Sequence, residues 1–213
     1  MTIPFCLASA SPARLTTLRH AGVDPRVVVS AVDEDAAVAD ATGRLGALGS
    51  EDVALLLARA KCEDVAVRLE EEEWDGVVLG CDSVLELGAE THGKPADAAE
   101  AVARWRLMRG RSGVLHSGHW IIDLREDGSG ATLGAVCSTT VHFADLDDDE
   151  IEAYVATGEP LAAAGAFTID GLGGPYVTGI EGDHHNVVGV SLPLVRELLD
   201  EIGIPWRLLR TAG

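Results

Sequence analysis

Three residues near the start of the chain have the types and spacing to hold a phosphate. Ile3 to Ala8 is a short apolar run that breaks at Ser9-Ala10-Ser11-Pro12-Ala13-Arg14. Ser11 has the side chain of a helix N-cap, and Pro12 suits the first helical position. Leu15, Leu18 and Ala21, three residues apart, give that helix an apolar face, and Gly22 stands where a C-cap glycine belongs. The segment thus reads as strand, hydroxyl-rich turn and helix N-terminus, with a cation at Arg14. Free backbone N–H groups, the positive end of the helix dipole and a guanidinium together make a phosphate-binding corner. An ordinary capped helix with a solvated arginine is the competing reading.

Further along, Val77-Val78-Leu79-Gly80-Cys81 reads as a buried strand ending in Asp82-Ser83. Ligand sites in α/β sheets gather at strand ends, and a rigid carboxylate there can hold a divalent cation or take a proton from water. Gly93-Lys94-Pro95 fixes a lysine between a permissive and a stiff residue, just before a helix. Lys61 and Lys94 are the only lysines in the chain. In a protein that otherwise uses arginine, both are candidates for point-charge contacts to phosphate. Taken singly, each has a plain alternative: a turn or cap aspartate, and solvated lysines.

The elements that must position these residues alternate between strand and helix. Val27-Val28-Val29 reads as a strand, followed by the acidic cluster Asp33-Glu34-Asp35. Residues 36–50, rich in alanine and glycine, are expected to form a mobile connection. A helix capped by Ser50 is predicted to run to about Leu69, followed by a solvated acidic tract, Glu70 to Glu73. Leu85 to Leu87 with Gly88 suggests a hairpin, and a helix from Ala96 to Arg109 ends at Gly110. Val114 to Leu124 and Ala131 to Phe143 read as a long antiparallel pair around Asp127-Gly128-Ser129-Gly130. Asp147 with Glu150 marks another helix start, and the last helix is predicted from about Ser191 to Ile202, stopped by Gly203. The fold class is α/β with a mixed sheet.

Composition bounds the rest. With 213 residues, 47% of them hydrophobic, the chain can bury a substantial core, as one domain over 1–213 or as two lobes sharing a cleft. A formal net charge of −19 repels nucleic acid and acidic membranes, so neither is an expected partner. It repels a free nucleotide as well, so a phosphate site here requires a local basic pocket and the help of a divalent cation. No run approaches 18 apolar residues and no signal peptide is recognisable. Cys6, Cys62, Cys81 and Cys137 are scattered without a CxxC pair, which favours reduced thiols in a cytoplasmic protein.

Taken together and in order, these segments resemble the Maf nucleotide pyrophosphatases, the septum-formation inhibitor proteins. The resemblance begins at Leu7-Ala8-Ser9-Ala10-Ser11-Pro12 with Arg14 and continues through Val32-Asp33-Glu34, Leu57-Ala58-Arg59-Ala60-Lys61, Gly80-Cys81-Asp82-Ser83 and Gly93-Lys94-Pro95. It extends to Tyr154–Pro160, Ala164-Gly165-Ala166-Phe167 and Asn186–Pro193, and so covers about residues 3–203. It implies an elongated α/β protein similar to the inosine triphosphate pyrophosphatases, with two lobes around a central cleft, usually a homodimer. The implied reaction is metal-dependent hydrolysis of nucleoside triphosphates, with Mg or Mn, to monophosphate and pyrophosphate. The same likeness suggests removal of non-canonical or modified nucleotides and a link to cell division arrest. Residue by residue, Asp82 matches the catalytic acid/base and Glu34 its metal-site partner. Lys61 and Lys94 match phosphate-holding lysines, and Ser9, Ser11 and Arg14 the phosphate-side loop. A non-catalytic nucleotide-binding regulator of septum formation is the alternative, disfavoured by the carboxylate pair.

The chain also departs from the family. Where the dTTP/UTP-selective branch carries arginine, threonine and glutamine, Ala13, Ser83 and Asp170 stand here, which leaves substrate contacts at Ser83 and Asp170 but no pyrimidine signature. His116 and His119 lie three apart on a predicted strand and so face opposite ways, a poor metal pair. His184 or His185, just before Asn186, is a candidate substrate contact. Gly171, Gly173 and Gly174 read either as an anion nest or as a tight turn. Trp105, Trp120 and Trp206 read as core or interface residues.

Overall fold

The computed structural model describes residues 2–211. Seven strands form one mixed sheet. They are β1 (Phe5–Ala8), β2 (Arg26–Val27), β3 (Val77–Leu87), β4 (Glu90–His92), β5 (Ser112–Asp123), β6 (Thr132–Phe143) and β7 (Val177–Glu181). Their order is β2-β1-β3-β5-β6-β7, with β4 paired to the far end of β3. β1 runs parallel to both β2 and β3, and every other pairing is antiparallel. This is the mixed α/β class that the sequence predicts.

Helix α1 (Pro12–His20) starts at the expected cap: the Ser11 hydroxyl accepts from the Arg14 N–H, and Gly22 beyond its end has φ +83°. The segment expected to be mobile is instead helix α2 (Glu34–Leu45). The Asp33 carboxylate caps it at the Ala36 N–H, 3.0 Å away, and alanine carries it onward through high helix propensity. Only Ala41 of this helix is buried, so it has almost no apolar stripe for a periodicity argument to find. Helix α3 (Ser50–Glu71) reaches into the acidic tract, and its N-cap is Gly49 rather than Ser50. Asp52 accepts the Gly49 N–H, while the Ser50 hydroxyl pairs with Thr91 of β4 at 2.7 Å. Helices α4 (Ala98–Met108), α5 (Asp148–Ala156), α6 (His184–Val188) and α7 (Leu192–Glu201) complete the α-helices among the described residues. Asp147 and Ser191 cap α5 and α7 as expected, whereas β7 and α6 have no counterpart in the predicted elements.

The strand Val77 to Cys81 does not stop at Asp82. β3 passes straight through to Leu87, so Asp82 is a mid-strand residue. Alternation along the strand then decides what faces what. Leu79 and Cys81 join Leu7, Leu18, Val195 and Leu199 in a core under α1 and α7. Val78 joins Cys6, Cys62, Val65 and Leu69 under α3 on the other face. A second large core gathers Leu85, Leu115, Val141 and Tyr154 around fully buried Trp105, with ring contacts from Phe143, Tyr154 and Tyr176 at 5.5–5.9 Å. Long strands β3, β5 and β6 link the two ends of the sheet. Asp82 and Ser83 fall on β3 between residues of the first core and residues of the second.

Helix α3 lies unusually close to the sheet because glycines make room. A Cβ on Gly80 would collide with the Ala58 carbonyl and Cys62, and one on Gly118 would collide with the Ala54 carbonyl. The two glycines therefore set the height of α3 above β3 and β5. No helix among the described residues is long and apolar enough to cross a membrane.

Candidate active site

The close approach of α3 brings Lys61 over the even-numbered face of β3. Its ammonium sits 2.5 Å from Asp82 Oδ1 and 2.7 Å from Glu34 Oε1. Three elements supply this triplet: the first turn of α2, the middle of α3 and the middle of β3. Asp82 is only 7% exposed, whereas the Glu34 side chain is half exposed. Burial pushes the Asp82 carboxyl above the usual carboxylate range, although the Lys61 and Arg14 cations oppose the shift. A carboxyl poised this way suits proton transfer.

Arg14 does not present a free guanidinium. It is 9% exposed and donates to the Gly189 carbonyl (2.7 Å), the Cys81 carbonyl (2.8 Å), Ser9 Oγ (3.0 Å) and Ser83 Oγ (2.9 Å). The side chain is a clamp: it ties the loop after β1 to β3 beside Asp82 and to the turn after α6. Ser9 Oγ also accepts the Ser11 N–H at 3.2 Å, so both hydroxyls of this turn are used internally. Ser83 points to the face opposite Asp82, where its hydroxyl pairs with Ser117 at 2.7 Å and Ser117 donates to the Asn186 carbonyl. Asn186 itself is fully buried and donates to the Leu115 carbonyl and to Thr139 Oγ1. Sequence reasoning assigned no role to Ser117, Asn186 or Gly189. The only signal was the Asn186-Val187-Val188-Gly189 segment, and a buried polar network cannot be read from spacing.

Lys94 is exposed and lies outside the triplet. Its loop is nonetheless held: the preceding Gly93 carbonyl accepts from Gly165 N–H and from buried Arg104, and Pro95 is buried. Asp170 is exposed on the loop between the Phe167 segment and Gly174. That loop contains both alternatives read from its glycines. It is tightly turned, and its N–H groups at Leu172 and Gly173 point at an anion, but the anion is the Glu159 carboxylate, 2.9 Å from each. Burial opposes ionisation of Glu159. Hydrogen bonds from Thr168, Leu172, Gly173 and Tyr154 outweigh it and hold the carboxyl below its ordinary range.

The histidines divide as their spacing predicts. His116 faces the α3 side, its Nδ1 2.8 Å from Ser138. His119 is fully buried on the other face, with Nδ1 on the Ser117 carbonyl and Nε2 accepting from the Ser191 N–H at 2.8 Å. Trp105 is core, while Trp120 is half-buried under the Arg59 guanidinium at 5.1 Å. All four cysteines are free.

Two carboxylates and an ammonium at one point, beside a helix N-terminus, form a donor set suited to a polyphosphate and a hard cation. The sequence model of the Maf-like protein family matches residues 4–202. A nucleoside triphosphate pyrophosphatase of Salinispora tropica is 54% identical over 214 residues, covering 100% of this chain and 90% of that one. One of the same name from Leifsonia xyli subsp. xyli is 51% identical, covering 94% and 93%. Among solved structures, a nucleoside-triphosphatase (dITP/XTP pyrophosphatase) of Mycobacterium abscessus aligns over 94% of this chain and 96% of that one, at 13% identity and a TM-score of 0.39. That overlay is loose, and nothing about the site follows from it.

Proposed function

The chain belongs to the Maf-like protein family, and on that premise we propose that it hydrolyses nucleoside triphosphates to nucleoside monophosphate and pyrophosphate at the Glu34–Lys61–Asp82 triplet. The observation that carries this reading is the convergence of both carboxylates on one ammonium. Relatives covering nearly the whole chain bear the name of that activity.

In this reading water adds to the α-phosphorus, the bond from that phosphorus to the α–β bridging oxygen breaks, and pyrophosphate leaves. Asp82 takes the proton from the water, and burial has already raised its affinity for one. Lys61 holds Asp82 in place and balances charge, and Lys94 reaches the polyphosphate from its fixed loop. Arg14, donating to Ser9, Cys81, Ser83 and Gly189, acts as a positioning residue that holds the phosphate-side turn against β3. The oxygen donors of Glu34 and Asp82 fit a hard divalent cation such as Mg or Mn, which would neutralise charge on the polyphosphate. The working form is taken as a cytoplasmic homodimer of single-domain chains, acting on non-canonical or modified nucleotides.

Product identification tests the reading. Incubation with a nucleoside triphosphate and Mg or Mn is expected to yield pyrophosphate. Orthophosphate as the sole phosphorus product would make the protein a phosphatase, and binding without turnover would make it a regulator.

A further inference from the structure

A second group of ligating side chains lies away from the triplet, at the start of α6. The Asp183 carboxylate caps this short helix through Oδ1, 3.0 Å from the His185 N–H and 3.3 Å from His185 Nδ1. Its other oxygen, Oδ2, is buried and has no hydrogen-bond partner. An unpaired buried carboxylate oxygen is costly, and native structures usually supply a donor or a cation to it. The rings of His184 and His185 stand beside it with centroids 3.7 Å apart. One ligand atom from each of the three residues lies within 4.8 Å of the others.

The surroundings favour a cation. His184 and His185 open onto a cavity of about 500 Å³ whose wall also carries His20, Asp170 and Leu192. Two imidazoles this close repel each other when protonated, whereas one cation can take a nitrogen lone pair from each neutral ring. A chain of net charge −19 also concentrates cations at its surface. The donor set decides which cation: two imidazoles and one carboxylate suit zinc-class metals, whereas magnesium and calcium take all-oxygen sites. The group lies on the opposite side of the sheet from Asp82, because Asn186 of α6 bonds to Leu115 and Thr139 on the Ser83 face.

We propose that Asp183, His184 and His185 form a site for one zinc-class divalent cation, separate from the Glu34–Asp82 carboxylates. Occupancy would fasten the start of α6. Through Asn186 and the Gly189 carbonyl, that helix supports the Arg14 clamp. The inference does not depend on the proposed hydrolysis.

Calorimetric titration of the tag-free, metal-stripped protein with Zn2+ alone provides the test, with Co2+ absorption reporting imidazole ligation. At least one equivalent is expected to bind and to raise Tm by linkage. The double variant His184→Ala/His185→Ala should weaken binding at least tenfold. Asp183→Asn should also weaken it while keeping a residue that can cap the helix. Glu34→Gln/Asp82→Asn should retain the equivalent that the double histidine variant loses. Circular dichroism confirms that each variant is folded. Absence of binding in the wild type would overturn the proposal, as would binding that follows Glu34 and Asp82 instead of the histidines.

Discussion

Lys61 and Asp82 face each other across the seam between α3 and β3 at 2.5 Å, and this pair couples the proposed proton acceptor to a cation. The coupling is directional. Lys61 lowers the Asp82 pKa against a larger rise from burial. Lys61→Gln is therefore expected to raise it further, moving the acid limb of the kcat–pH profile to higher pH. Asp82→Asn, which keeps the shape and loses the base, should lower turnover by roughly 100- to 10,000-fold in a folded protein. A rate–pH profile for Lys61→Gln that overlays the wild type would uncouple the two residues.

Lys94 has no ion-pair partner among the described residues and stands on a loop fixed at Gly93 and Pro95. Its charge is free for substrate. Lys94→Ala should raise KM roughly 10- to 100-fold, the contribution of a charge-assisted hydrogen bond, with little change in kcat. Added salt should raise KM in the wild type more than in the variant. An unchanged KM places Lys94 outside the site.

His119 makes stability depend on pH. Burial, with help from the Arg14 cation, pushes its pKa down to about 4 from an ordinary 6.5. Between those values the unfolded chain binds a proton that the folded chain refuses, so stability must fall as pH drops from about 6.5 towards 4. The loss attributable to this ring approaches about 3 kcal/mol across that window. Denaturant unfolding of His119→Gln should show a flatter dependence there than the wild type. Parallel curves for the two proteins would show that His119 does not titrate differently on folding.

Gly118→Ala tests whether backbone proximity places Lys61. The added methyl meets the Ala54 carbonyl, so α3 must lift from the sheet. A loss of about 1–3 kcal/mol in stability is expected, together with a fall in kcat larger than any change in KM. Wild-type turnover in a destabilised Gly118→Ala protein would separate the helix contact from catalysis.

Nucleotide selectivity is expected to be broad. Ala13 cannot supply the hydrogen bonds of an arginine, and an ionised Asp170 only accepts where glutamine would also donate. The Ser83 hydroxyl is occupied by Arg14 and Ser117. Without buried polar pairs to leave unsatisfied, rejection of the wrong base is weak. A panel of nucleoside triphosphates, including modified bases, should show no strong preference for dTTP and UTP. Hydrolysis of those two far faster than CTP, GTP and ATP would overturn the expectation.

Much of the fold was legible because local chemistry and tertiary structure agree. Ser11 is a cap in both, Asp147 and Ser191 mark helix starts in both, and the β5–β6 pair follows its alternation. Helix α2 was hidden because it buries almost nothing, leaving only the Asp33 cap and its alanines as signals. Asp82 and Ser83 read as a strand end because polar residues in a buried run imitate one. In the structure each is satisfied, by Lys61 on one face and by Arg14 and Ser117 on the other. The inward turn of Arg14 was not legible, since three of its four acceptors, on Cys81, Ser83 and Gly189, come from distant positions in the sequence.

The carboxylate of Glu159 separates the frame of the 168–174 loop from what the loop displays. Because Leu172, Gly173 and Thr168 are all anchored to that one internal anion, the backbone course of the loop owes nothing to the side chain of Asp170. Position 170 is in this sense an interchangeable fitting on a fixed bracket. Substitution there changes the charge and shape of the neighbouring cavity wall while the segment keeps its fold.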